Sequence, residues 1–134
     1  MNTFHLTIQT VDGPAFEGEA QRLFCRTIDG DVAILAHHAD YCTALGMGEA
    51  RVTLEDGTVR KAACIGGMLT MLDNRCRLLA TTWEWSEDID PERAHAARDR
   101  AQALIEQGGL SNRELALASA KLQRALVRSS VAKK

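Results

Sequence analysis

Residues 37–42 place two imidazoles, a carboxylate and a thiol close together in His37, His38, Asp40 and Cys42. All four are zinc-ligand types, and zinc takes tetrahedral sets of nitrogen and sulfur donors. Adjacent histidines do not readily converge on one ion, and no distant ligand pair completes the set, so no metal is expected. The chain shows no Walker loop, no Ser/His/Asp order and no paired-carboxylate arrangement. Gly66-Gly67 precedes an apolar run rather than a helix, so it reads as a bulge or a close backbone approach, not a phosphate cradle. Cys25, Cys42, Cys64 and Cys76 form no C-x-x-C pair and lie in apolar segments. They are expected to be buried structural thiols in a reducing compartment.

The elements that would carry these residues change character near residue 88. Residues 1–88 hold 7 Lys/Arg against 13 Asp/Glu, and residues 89–134 hold 9 against 5, so an acidic part precedes a basic one. Hydrophobic content of 46% supports a core and 25% charged residues argue against disorder. Aromatics are only 4%, so aliphatic residues, Ala and Met must fill that core. The net charge of −2 gives no global case for nucleic acid. No apolar run approaches the ~20 residues of a membrane span, and the N-terminus has no signal or transit character.

Before residue 88 the pattern is β. His5–Val11 alternates with period two and ends at Asp12-Gly13-Pro14. Further runs fit Ala20–Thr27, Val32–Leu35, Thr43–Met47, Glu49–Leu54, Val59–Ile65, Met68–Leu72 and Arg75–Thr82. Glu55-Asp56-Gly57-Thr58 reads as a hairpin connection and Asp73-Asn74 as a turn. About ten short strands at regular spacing predict an antiparallel β-sandwich, or a flattened barrel, over residues 1–86, with Trp83 and Trp85 covering an edge or packing a helix onto it.

Residues 87–134 predict an antiparallel two-helix hairpin. Asp90 is a good N-cap, Pro91 suits the first helical position, and Gly108-Gly109 ends the first helix after Gln107. Ser111 and Glu114 form a capping box, with Leu110 and Leu115 placed as a staple. The apolar stripes are Ala94, Ala97, Ala101, Leu104 and Ile105 on one helix, and Leu115, Ala118, Leu122 and Ala125 on the other. Alanine seams bury little area, which allows a hairpin that opens and extends as well as a fixed pair. Arg113, Lys121, Arg124, Arg128, Lys133 and Lys134 make this end cationic, as a solvated helix face also would.

The order of motifs resembles the epsilon subunit of the bacterial F-type ATP synthase over nearly the whole chain. The resemblance is carried by Phe4-His5-Leu6, by the segment from Gly30-Asp31-Val32 through His37-His38-Ala39 to Thr43-Ala44-Leu45, and by Gly66-Gly67 with Leu79-Ala80. Ala36 and Asp40 stand where prolines are usual in that family, and Ala33 where glycine is common. The resemblance implies a non-catalytic rotor-stalk subunit, peripheral on the cytoplasmic face of the cell membrane. Its β-sandwich would dock on the gamma subunit and on the c subunits of the membrane rotor ring, with Asp31 and His38 in the ring-facing loop.

The same resemblance brings two regulatory expectations. Ile89-Asp90-Pro91-Glu92-Arg93-Ala94 matches a motif of epsilon subunits that bind ATP, and Glu84 and Arg100 match further positions used there. Carboxylates at 84 and 90 can accept hydrogen bonds from ribose or the adenine amino group, and Arg93 and Arg100 can pair with phosphates. ATP would then be a regulatory ligand and not a required cofactor. The plainer alternative is a capping aspartate with two solvated arginines. In the family the extended hairpin inserts into the alpha/beta catalytic head and blocks hydrolysis, which points to Arg113, Lys121, Arg124 and Arg128 as contacts with acidic segments there. A stand-alone ATP-sensing module is the alternative function.

Overall fold

The computed structural model describes residues 2–132 and divides between Trp85 and Ser86 into two compact units. The first contains β1 (Phe4–Thr10), β2 (Gly13–Thr27), β3 (Gly30–Leu35), β4 (Tyr41–Leu54), β5 (Val59–Leu72) and β6 (Arg75–Trp85). The strands follow the order β1-β6-β5-β4-β2-β3, and an extra β1–β2 pairing folds the sheet back on itself.

The β-sandwich stands, but it is built from six strands among the described residues, not about ten. The breaks expected at Gly48 and Gly66-Gly67 bend strands without ending them, because β4 and β5 stay in register on both sides, from Leu45↔Gly67 to Met47↔Ile65. β2 likewise begins at Gly13 and spans 15 residues, pairing with β1 in its first half and with β3 and β4 in its second. One pairing is parallel rather than antiparallel, between β1 and β6.

The core follows the period-two pattern. Phe4, Leu6 and Ile8 of β1 are fully buried, as are Leu23 and Cys25 of β2, Ile34 of β3, Val52 of β4, Leu69 of β5 and Leu78 of β6. Trp83 and Trp85 belong to this core rather than to an edge, their rings edge-on at 5.2 Å. Phe16 meets Trp85 edge-on, and the Arg60 guanidinium stacks 3.7 Å from its ring centre. Of the four thiols, Cys42 departs from expectation: it is exposed, because it lies on the outward-facing phase of β4.

Gly67 marks a close approach. Its φ is +125°, and a Cβ there would overlap the Leu79 carbonyl oxygen and stand 2.9 Å from Ala80 Cα. Only glycine lets β5 and β6 close at that point.

The second unit holds a 3-10 turn over Ser86–Asp88, then α1 (Pro91–Gln107) and α2 (Asn112–Val131). Asp90 Oδ1 accepts from the Glu92 and Arg93 amides at 3.1 and 3.3 Å, and Gly108 ends α1 at φ +76°. Ser111 and Glu114 exchange capping-box bonds of 3.1 Å each. Ser86 Oγ donates to the Val131 carbonyl at 2.7 Å, tying the entry of this unit to the end of α2.

The seam is narrower than the stripes predict. Ala94, Ala101, Ala118 and Ala125 are buried, while Leu104 and Leu115 remain 45% and 43% exposed. The buried alanines fall seven residues apart on each helix, and the leucines stand outside that spacing. At about 0.8 kcal/mol per buried methyl, four alanines contribute on the order of 3 kcal/mol.

Candidate functional site

Three surfaces carry the residues singled out by sequence. The first is β3 with the loop at residues 36–40 that follows it, Asp31 lying at the start of the strand and His38 beyond its end. Asp31 is exposed on β3, where its Oδ1 accepts from Arg26 Nε at 3.1 Å. Such an exposed pair contributes about 0–1 kcal/mol, so it orients the carboxylate more than it stabilises the sheet. The His38 amide donates to the Leu35 carbonyl at 3.1 Å, and its Nδ1 lies 2.7 Å from the Ala39 carbonyl. The His38 ring stands 5.7 Å from that of Tyr41.

Sequence reasoning missed what holds this loop. His37 has φ +64°, and its amide donates to Asn74 Oδ1 at 2.7 Å. The Asp73 amide donates to Asp40 Oδ1 at 3.4 Å. Asp73-Asn74 was legible as a turn, and both residues do adopt positive φ, but the reach of Asn74 to residue 37 leaves no local sequence signal. Among the described residues no three His, Cys, Asp or Glu side chains gather to hold a metal.

The second surface is the outer face of β1, β6 and β5. Cross-strand register aligns His5 with Arg75 and Thr7 with Arg77, then Arg75 with Leu72, Arg77 with Thr70 and Leu79 with Met68. Met68, Leu72 and Leu79 are 44–58% exposed, beside an open groove of about 420 Å³ whose lining includes His5, Glu17, Thr70, Leu72, Arg75 and Arg77. His5 bridges two carboxylates, Nε2 to Glu17 at 3.2 Å and Nδ1 to Glu19 at 3.3 Å. Exposed aliphatic side chains rimmed by arginines make a face suited to another protein.

The third surface is the helical unit. Asp90 caps α1, and Arg93 and Arg100 are both exposed, two turns apart along it. Glu84 belongs to the β unit, half-buried on β6 opposite Ala63, and is engaged in an interaction of its own. Arg113 and Lys121 are exposed on α2, whereas Arg124 and Arg128 are half-buried and Arg128 has a partner. Lys133 and Lys134 lie outside the described residues.

Among the other titratable groups, three buried thiols and the Glu114 carboxyl are shifted by their surroundings. Burial pushes the thiols of Cys25, Cys64 and Cys76 up to about 12, which keeps them protonated and unreactive. Hydrogen bonds from the Ser111 amide and hydroxyl hold the Glu114 carboxyl below its ordinary range. No helix among the described residues is long and apolar enough to cross a membrane.

A closed β-sandwich whose outer face sets exposed aliphatic side chains among Arg75, Arg77, Glu17 and Glu19, followed by a separate alanine-seamed hairpin, has the make-up of a docking component. Family models agree along the chain: the ATP synthase, Delta/Epsilon chain, beta-sandwich domain matches residues 3–86, and the long alpha-helix domain matches residues 87–133. The chain therefore belongs to the ATP synthase delta/epsilon chain family, whose members are non-catalytic subunits of the central stalk.

Among its relatives, the ATP synthase epsilon chain of an Exiguobacterium species is 34% identical over 98% of this chain and 96% of its own. That of Ruminococcus albus is 35% identical over 100% and 99%. The fold is also similar to a chain in the Euglena gracilis mitochondrial ATP synthase (OSCP/F1/c-ring), with TM-score 0.84, 19% identity and coverage of 96% of this chain and 80% of that one. A chain of the Tetrahymena thermophila mitochondrial ATP synthase central stalk and c-ring gives TM-score 0.62 at 13% identity, covering 96% of each.

Proposed function

We propose that this chain couples the catalytic head of an F-type ATP synthase to its membrane rotor ring, and that its hairpin restrains ATP hydrolysis. The observation that carries the coupling role is the outer face of β1, β6 and β5, where Met68, Leu72 and Leu79 lie exposed beside Arg75 and Arg77. A gamma subunit covering that face removes exposed apolar area and supplies partners for the arginines. Asp31 and His38 then meet the c-subunit loops. The complex holds the chain peripherally at the cytoplasmic face of a bacterial membrane.

The restraining role is supported by the weak alanine seam and by the cations of α2. A seam of this size lets α1 and α2 separate when a competing surface is offered, and Arg113, Lys121, Arg124 and Arg128 suit acidic segments of the alpha/beta head. ATP acts as a regulatory ligand through Glu84, Asp90, Arg93 and Arg100, whose donors and acceptors match its phosphates and its ribose or adenine edge.

The deciding experiment measures ATP hydrolysis by an epsilon-depleted head, titrated with the full chain and with a chain ending at Trp85. The full chain should inhibit and the short one should bind without inhibiting. Equal inhibition by both removes the hairpin from regulation, and failure of both to bind favours a free-standing ATP sensor. Calorimetry with millimolar ATP on the full chain and on Arg93→Ala tests the ligand separately; no heat of binding, or unchanged binding by the variant, overturns it.

A further inference from the structure

Asn74 sits at the β5–β6 turn with φ +60° and joins three segments that are far apart in sequence. Its Oδ1 accepts the His37 amide at 2.7 Å, and its Nδ2 donates to the Thr3 carbonyl at 3.0 Å. Its own carbonyl accepts the His5 amide at 3.2 Å. The two side-chain partners fix which way the carboxamide faces, since a main-chain N–H requires the oxygen and a main-chain carbonyl requires the nitrogen. Asp73, the other turn residue, donates its amide to Asp40 Oδ1 at 3.4 Å. The loop at 36–40 is thus held at both ends by one two-residue turn.

This matters because, beyond the turn bond from the His38 amide to the Leu35 carbonyl at 3.1 Å, Asn74 and Asp73 are what tie the loop to the β5–β6 turn. The loop lacks proline, His37 occupies a left-handed conformation that a non-glycine residue adopts at a cost, and His37, Ala39 and Asp40 are exposed. A left-handed residue persists only where its surroundings hold it, and the Asn74 carboxamide supplies the hydrogen bond at that residue. His38 follows immediately, so its direction depends on the backbone at 37.

We propose that Asn74 is the positioning residue for the ring-facing loop, a clamp that holds His37 in its left-handed conformation and thereby presents His38. The inference rests on the rotor-ring contact proposed above, and the two can fail separately. Asn74→Gly keeps the positive φ of the turn and removes only the carboxamide. Asn74→Asp keeps an acceptor for His37 but replaces the donor to Thr3 with a carboxylate oxygen facing that carbonyl, which repels it.

The test uses the full chain in two measurements. Hydrogen exchange at the His37 amide should accelerate about tenfold in Asn74→Gly, the scale of one lost hydrogen bond, and by less in Asn74→Asp, which keeps an acceptor. Affinity for the detergent-solubilised rotor ring should fall several-fold in Asn74→Gly and less in Asn74→Asp. Unchanged exchange in Asn74→Gly overturns the clamp. Faster exchange with unchanged ring affinity overturns its positioning role. His38→Ala serves as the control for the contact: parent-like affinity in that variant shows that His38 does not meet the ring, independently of the exchange result.

Discussion

At the scale of single residues, backbone space decides more than chemistry does. Gly67→Ala drives a methyl into the Leu79 carbonyl with backbone on the far side, so β5 and β6 must separate locally. The β unit should lose on the order of 3 kcal/mol, read as a lower denaturation midpoint. Gly66 is a milder case: its added methyl would meet the Thr81 hydroxyl at 3.1 Å, and Gly66→Ala should cost about 1–2 kcal/mol, the strain of its positive φ. Thiol reactivity follows burial in the same way. At pH 8 alkylation should modify Cys42 alone in the native protein, and all four cysteines after unfolding, as counted by mass. The three buried thiols remain protonated there because their values lie near 12.

At the scale of elements, the helices are set by their ends. Ser111→Ala removes an N-cap and should destabilise α2 by about 1 kcal/mol, seen as lost helicity in circular dichroism. Glu114 adds a pH dependence whose direction is fixed. Its folded value lies below the ordinary 4.5, so the unfolded chain binds the proton more readily. Its contribution is therefore present above pH 4.5 and disappears as pH falls through the lower, folded value. Glu114→Gln should flatten that part of the acid titration of helicity relative to the parent protein. The sheet elements are set instead by register, with the Asp56 carboxylate accepting the Thr58 amide at 2.9 Å to close the β4–β5 hairpin.

At the scale of the whole molecule, the division between Trp85 and Ser86 separates a well-cored sandwich from a thinly seamed hairpin. The largest fully buried side chains, among them Phe4, Leu6, Ile8, Leu23, Ile34, Leu69, Met71 and Leu78, all belong to the β unit. A chain ending at Trp85 should fold and retain a cooperative thermal transition. Proteolysis of the full chain should cut first in the connections around residues 108–110, leaving a resistant fragment that contains all six strands. Cleavage first inside β2 or β5 would contradict that order of stability.

The sequence by itself determined what depends on near neighbours. The alternation through Phe4, Leu6 and Ile8, the Asp56-Gly57 connection, the Asp90 cap, the Gly108 stop and the Ser111–Glu114 box are all encoded within a few residues, and each was legible. The family-bearing motifs were legible too, because their order along the chain needs no contacts. Tertiary structure alone decided what depends on distant partners. That β1 runs parallel to β6, that Gly67 lies against Leu79, that Trp83 and Trp85 enter the core, that Leu104 and Leu115 stay outside the seam and that Asn74 reaches His37 all arise from chain segments far apart. Local propensity carries no information about such pairings, since they follow from which surfaces the closed sheet and the paired helices bring together.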